Sequence, residues 1–99
     1  MHVSNLTNKS GRPVLNQFVI ECSDSTYFQS YDSVIAQVYR DGTIHLGPDW
    51  DYSRTTGKYL HQFLADYAGR PDLCTKKAIQ NAIDEGLDVF YFSSEFDIK

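Results

Sequence analysis

The stretch Trp50–Leu64, WDYSRTTGKYLHQFL, joins an aromatic, β-rich first half of the chain to a helical second half. Ser53 ahead of Arg54-Thr55-Thr56 reads as a helix start, because a serine hydroxyl at the N-cap accepts an amide hydrogen bond from the first turn. Tyr59, Leu60, Phe63, Leu64 and Tyr67 then follow at i, i+1, i+4, i+5 and i+8. At about 100° per residue they fall within an arc of roughly 140°, an ordinary core-facing stripe. Lys58, His61, Gln62 and Asp66 lie outside it. Gly69 is placed to end the helix, and Pro71 prevents its continuation. Trp50 and Tyr52 precede the cap, positioned for a staple-like contact with Tyr59 or Phe63.

A stripe of this kind needs an apolar surface to cover, and the preceding residues supply it. Ser33 to Tyr39 and Ile44 to Leu46 flank Asp41-Gly42, a hairpin signal. A two-residue loop would set Val38 against His45 and split the apolar residues between faces. A three-residue loop, Arg40-Asp41-Gly42, pairs Val38 with Ile44 and Ala36 with Leu46. That gathers Val34, Ala36, Val38, Ile44 and Leu46 on one face, with Gln37 and His45 on the other. Register follows the buried face, so the expectation is a type I turn with Gly42 left-handed in a G1 bulge. Thr26 to Tyr31 makes a further strand. Asn16 to Cys22 makes another, read with Phe18, Ile20 and Cys22 inward.

Residues 1–13, MHVSNLTNKSGRP, are polar and close on Gly11 and Pro13. They read as a flexible, loosely docked arm, leaving 14–99 as a single domain. Beyond Gly69, a second helix is expected from an Asp72 N-cap to about Glu85, with Gly86 as its terminator. Cys74, Thr75, Ala78, Ile79, Ala82 and Ile83 form its inward face. Lys76 and Lys77 near its start and Asp84 and Glu85 near its end oppose the helix dipole. Leu87 to Phe92 has the composition of a last strand.

Composition narrows the function classes. At 99 residues, 41% hydrophobic and with seven tyrosines, the chain supports one modest core. A net charge of −4 argues against general nucleic-acid binding, which needs clustered Lys and Arg. Cys22 and Cys74 are too few for a disulfide scaffold or a four-ligand zinc site, and read as buried thiols. No leader-like segment opens the sequence, and no apolar run approaches the roughly 20 residues that cross a bilayer. A cytoplasmic protein is expected, with no membrane partner.

The residues offer no catalytic or metal motif. His2, His45 and His61 fall on separate elements without ligand spacing. Asp49 and Asp51 flank Trp50 as a carboxylate pair that suits a turn better than a cation. Ser53, Thr55 and Thr56 lack a neighbouring base, and Gly57 stands alone in a helix rather than in a phosphate loop. No cofactor is implied. Two groups of surface residues stand out as partner-binding candidates. Tyr27, Tyr31 and Tyr39 alternate with core positions and share an outward face with Gln29, unless a helix covers that face. Asp84, Glu85, Asp88, Glu95 and Asp97 crowd the last sixteen residues against Lys99 alone, a solvated face or a docking surface for a basic partner.

Three segments carry a resemblance: Asn16-Gln17-Phe18-Val19-Ile20, the run TYFQSYDSVIA from Thr26 to Ala36, and Trp50-Asp51-Tyr52-Ser53 continuing through Thr55-Thr56, Lys58-Tyr59 and Phe63-Leu64. Together they resemble short, functionally unassigned proteins of tailed phages and prophages. The similarity spans about residues 16–64. It implies a phage or mobile-element origin and expression in the bacterial host cytoplasm, and it transfers no catalytic residue.

The expected fold is α+β: an antiparallel meander of about four strands, two helices packed on one face, and a fifth strand at the C-terminus. The expected function is that of a small non-enzymatic accessory protein that binds a host protein or protein complex, inhibiting a defence or nucleic-acid-handling assembly. A homodimer is a further arrangement. The alternative is an accessory binder of single-stranded nucleic acid that uses the tyrosine face with Lys9, Arg12 and Arg40.

Overall fold

The structure, a computed structural model, describes residues 1–51 and 53–91. Among these residues, five strands follow in chain order: β1 (His2–Thr7), β2 (Pro13–Glu21), β3 (Ser25–Ser30), β4 (Ser33–Tyr39) and β5 (Ile44–Leu46). Two helices, α1 (Arg54–Tyr67) and α2 (Lys76–Glu85), lead to β6 (Val89–Tyr91). The strands form one sheet whose spatial order is the chain order. Neighbours β1 to β5 are antiparallel, whereas β6 pairs with β5 in parallel. A parallel pair needs a long crossover, and the two helices provide it. The α+β class is as expected, with six strands where four and a fifth were anticipated.

The hairpin between β4 and β5 has the expected register, Ala36 with Leu46, Gln37 with His45 and Val38 with Ile44. The Gly42 amide donates to the Tyr39 carbonyl at 3.0 Å, the Tyr39 amide donates to the Thr43 carbonyl at 2.9 Å, and Gly42 takes φ +92. Asp41 Oδ1 accepts from the Thr43 amide at 2.9 Å and tightens the turn. One face assignment changes. A bulge between Phe28 and Gln29 places two residues of β4 against one of β3, so Ile35 rather than Val34 joins the core.

The N-terminal residues correct the expected arm. β1 pairs with β2 from His2–Glu21 to Asn5–Phe18, and Leu6 is buried in the main core. Its alternation is weak because it is an edge strand whose apolar content is Val3 and Leu6. The phase of β2 is also reversed. Val19 and Gln17 lie on the helix side, while Phe18 and Ile20 lie on the other face, and Cys22 lies just past the end of β2 beside a cleft that Tyr67 of α1 also lines.

Both helices cover a single face of the sheet. Leu60, Phe63 and Leu64 of α1 and Ile79 and Ala82 of α2 pack with Val19, Phe28, Ala36, Val38, Ile44, Leu46 and Val89. The Phe28 and Phe63 rings stack at 5.4 Å, and Tyr67 stacks on Phe63 at 5.2 Å. Ser53 caps α1 as expected, its Oγ accepting from the Thr56 amide at 3.1 Å. The cap of α2 is Thr75, whose Oγ1 accepts from the Ala78 amide at 3.0 Å, and not Asp72. Asp72 is engaged elsewhere: Arg70 Nη2 reaches its Oδ2 at 3.0 Å, and buried Leu73 anchors the connection. At the far end of α2, Leu87 and Gly86 amides return to the Ala82 and Ile83 carbonyls, a Schellman closure with Gly86 at φ +66. Cys74 is exposed and Cys22 half-buried, both as free thiols, which corrects the expected pair of buried ones.

Candidate interaction surface

The face of the sheet opposite the helices is read directly from the strand register. Val3, Ile20, Tyr27, Gln37, His45 and Phe90 form one row across all six strands of the described residues. The centre of the row is buried and its two ends, Val3 and Phe90, are exposed. Tyr27 is 7% exposed, and Gln37 Nε2 donates both to its hydroxyl at 3.0 Å and to Ser25 Oγ at 2.9 Å. Tyr39 is half-buried, edge-on to His45 at 4.7 Å, and His45 is in turn edge-on to Phe90 at 5.7 Å. Burial holds the His45 imidazole below its ordinary pKa, against the opposing pull of the Asp41 carboxylate.

The three tyrosines therefore differ. Tyr27 is a satisfied interior residue and Tyr39 a partly covered one. Tyr31 is 57% exposed, in the β3–β4 turn at the other end of β4 from Tyr39. Its backbone sits at φ +54, unusual for a bulky residue, and its amide donates to the carbonyl of Asn16, itself at φ +63. Lys9 and Arg12 lie in the β1–β2 turn, whereas Arg40 lies in the β4–β5 turn at the opposite end of the meander. The cations proposed for the tyrosine face thus do not converge.

The acidic residues do gather. Asp84 and Glu85 close α2, and Asp88 leads into β6; all three are exposed. Glu95 and Asp97 lie outside the described residues. Missed in the sequence were the apolar neighbours of these carboxylates: Leu87, Phe90 and Tyr91 are 49%, 45% and 47% exposed. The signal is in LDVFY, a run with the composition of a last strand and apolar on both faces apart from Asp88. Among the described residues β6 is the margin of the sheet, with a hydrogen-bonded neighbour on one side only. This margin is held in place. The Asp88 carbonyl accepts from the Ile44 amide at 2.9 Å, and Arg70 Nη1 donates to the Leu87 carbonyl at 3.3 Å. Asp49 and Asp51 form no joint site: Asp49 lines a cleft with Ser30, Asp32 and Thr56, and Asp51 pairs with Lys76 at 3.4 Å. Among the described residues, no three His, Cys, Asp or Glu side chains gather as a metal site. No helix there is long and apolar enough to cross a membrane.

Residues 1–81 match the model of a family described as a family of unknown function, DUF8033. The chain belongs to that family. No curated protein and no solved structure matches it significantly. The DUF8033 match begins at residue 1, so β1 falls inside the family's span, in accord with its place in the sheet. It stops within α2, so β6 and its acidic–aromatic margin fall outside the DUF8033 span.

Proposed function

We propose that this chain is a small non-enzymatic accessory protein of a phage or mobile element, acting in the bacterial cytoplasm by binding a host protein through the β6 margin. The observation that carries this reading is the juxtaposition of Leu87, Phe90 and Tyr91, each nearly half exposed, with the carboxylates of Asp84, Glu85 and Asp88. Exposed aromatic residues on a fixed backbone anchor protein interfaces at low entropic cost. The neighbouring carboxylates steer a basic partner and select its orientation. An edge strand also offers unpaired backbone groups to a partner strand.

The test compares the wild-type chain with Phe90→Ser and with Asp84→Asn/Glu85→Gln in affinity purification from bacterial lysate, followed by mass spectrometry. A stoichiometric protein recovered by the wild type and lost, by about tenfold or more, in Phe90→Ser is the expected result. The charge variant should recover less of it at low ionic strength, and its recovery should fall less than the wild type's as ionic strength rises. The reading fails if the same proteins are recovered by all three. It also fails if the wild type is a stable homodimer that Phe90→Ser dissociates and no other protein is retained.

A further inference from the structure

α1 carries a second stripe, turned away from the core. Arg54, Lys58 and His61 stand at i, i+4 and i+7, so successive turns present three nitrogen-bearing side chains along one line. They line a cleft of about 510 Å³ together with Lys76, the first residue of α2. Buried Trp50 and Leu60 form its apolar part. Asp51 also lines it and pairs with Lys76, Nζ to Oδ2, at 3.4 Å. Among the described residues, three cations and one carboxylate line the cleft, in a chain whose net charge is −4. The Lys58 ammonium rests 5.2 Å from the Tyr59 ring centroid. Burial keeps His61 below its ordinary pKa.

Gly57 supplies an independent observation. It lies inside α1, where glycine is unfavourable relative to alanine. Nothing within the described molecule requires it: a Cβ built there meets no heavy atom within 4 Å, and its backbone is helical. Yet Gly57 borders the cleft. A helical glycine without an internal reason, at the wall of a cationic cavity, leaves bare backbone where another molecule can approach closely.

We propose that this cleft binds an organic phosphate of nucleotide size, its phosphate groups held by Arg54, Lys58 and Lys76 and its organic part along the helix wall at Gly57 and His61, above the buried Trp50. Pockets for such ligands span roughly 300–1,000 Å³ and combine an apolar lining with a few placed polar groups. A guanidinium meets phosphate oxygens in bidentate fashion, and an ammonium adds a point charge. The volume and the apolar wall exceed what a bare inorganic anion would need. The cleft is separate from the β6 margin and, unlike it, lies wholly within the matched family span.

Trp50 is the only tryptophan, so its fluorescence reports on the cleft directly. The full chain is titrated with ATP, with inorganic phosphate and with a single-stranded oligodeoxynucleotide, for the wild type, Arg54→Ala/Lys58→Ala and Gly57→Ala. Both sets of substitutions are at sites without core packing, and circular dichroism melts verify the fold. The expected result is a saturable change with ATP that weakens about tenfold or more in the double variant. Gly57→Ala should melt higher than the wild type yet bind ATP more weakly, a combination that a purely structural glycine would not give. The proposal is overturned if ATP at about 10 mM causes no saturable change, or if the double variant binds it as the wild type does. It is likewise overturned if inorganic phosphate binds as tightly as ATP, or if the oligonucleotide binds and ATP does not displace it.

Discussion

Thr56 joins β3 to the start of α1. Its Oγ1 lies 3.2 Å from Ser30 Oγ, in TYFQSYDSVIA, and accepts from Ser53 Oγ at 3.1 Å, in the segment that opens α1. Ser30 and Thr56 are both buried, so this contact fixes where the helix start lands on β3. The pair thereby acts as a folding device. Thr56→Val keeps the volume but strands the Ser30 hydroxyl, which should lower unfolding free energy by about 1–3 kcal/mol. Adding Ser30→Ala should recover part of the loss, because a paired removal leaves no buried group unsatisfied. Urea denaturation of the two single variants and the double variant measures the coupling. A double variant as unstable as the sum of the singles would show that the hydroxyls do not act together.

At the level of elements, legibility followed the contrast between faces. The β4–β5 register could be read because only one loop length collects the apolar residues on one side. α1 could be read because its stripe is bounded by a serine cap and a glycine stop. β2 misled because both of its faces carry apolar residues: Phe18 and Ile20 on one side, Val19 on the other. Alternation sets the phase only when the second face is polar, and here that face holds Tyr27 and His45. Asp72 misled for a different reason, since a local cap competes with a charged partner and Arg70 captured the carboxylate. The same elements set the sign of glycine replacements. Gly42→Ala forces an L side chain to φ +92, where nothing crowds its Cβ, so the cost is backbone strain alone, about 1–2 kcal/mol. Gly57→Ala, in helical backbone, should instead stabilise by about 0.5–1 kcal/mol. Thermal melts of the two variants should move in opposite directions.

For the whole molecule, acid is the relevant stress. Burial lowers the pKa of His45 and of His61 in the folded chain, so the unfolded chain binds the first protons more readily. Stability therefore rises with pH through this window: it is complete above about 6.5 and is lost as pH falls from there toward the depressed folded values. Asp41, held low by hydrogen bonds from Thr43, and Asp72, held low by Arg70, act in a lower range. Their contribution is present above the ordinary carboxylate range and is lost as pH falls through their lowered folded values. Melting temperature measured from pH 8 to 3 should thus decline in two stages, and His45→Gln/His61→Gln should flatten the first. A single decline confined below about pH 4, unchanged in the double variant, would contradict the assignment. The family's span leaves out the last strand and the margin it forms, so the surface proposed to bind lies beyond the matched residues.

Strand order that repeats chain order has a kinetic corollary. From β1 to β5 every pairing partner is the next segment along the backbone, so these hairpins can zip successively with short loop closures. β6 is the exception, for it finds β5 only after some forty intervening residues have been gathered by the two helices. It should be the last strand to join and the first to let go, and amide exchange should be faster along it than in β3.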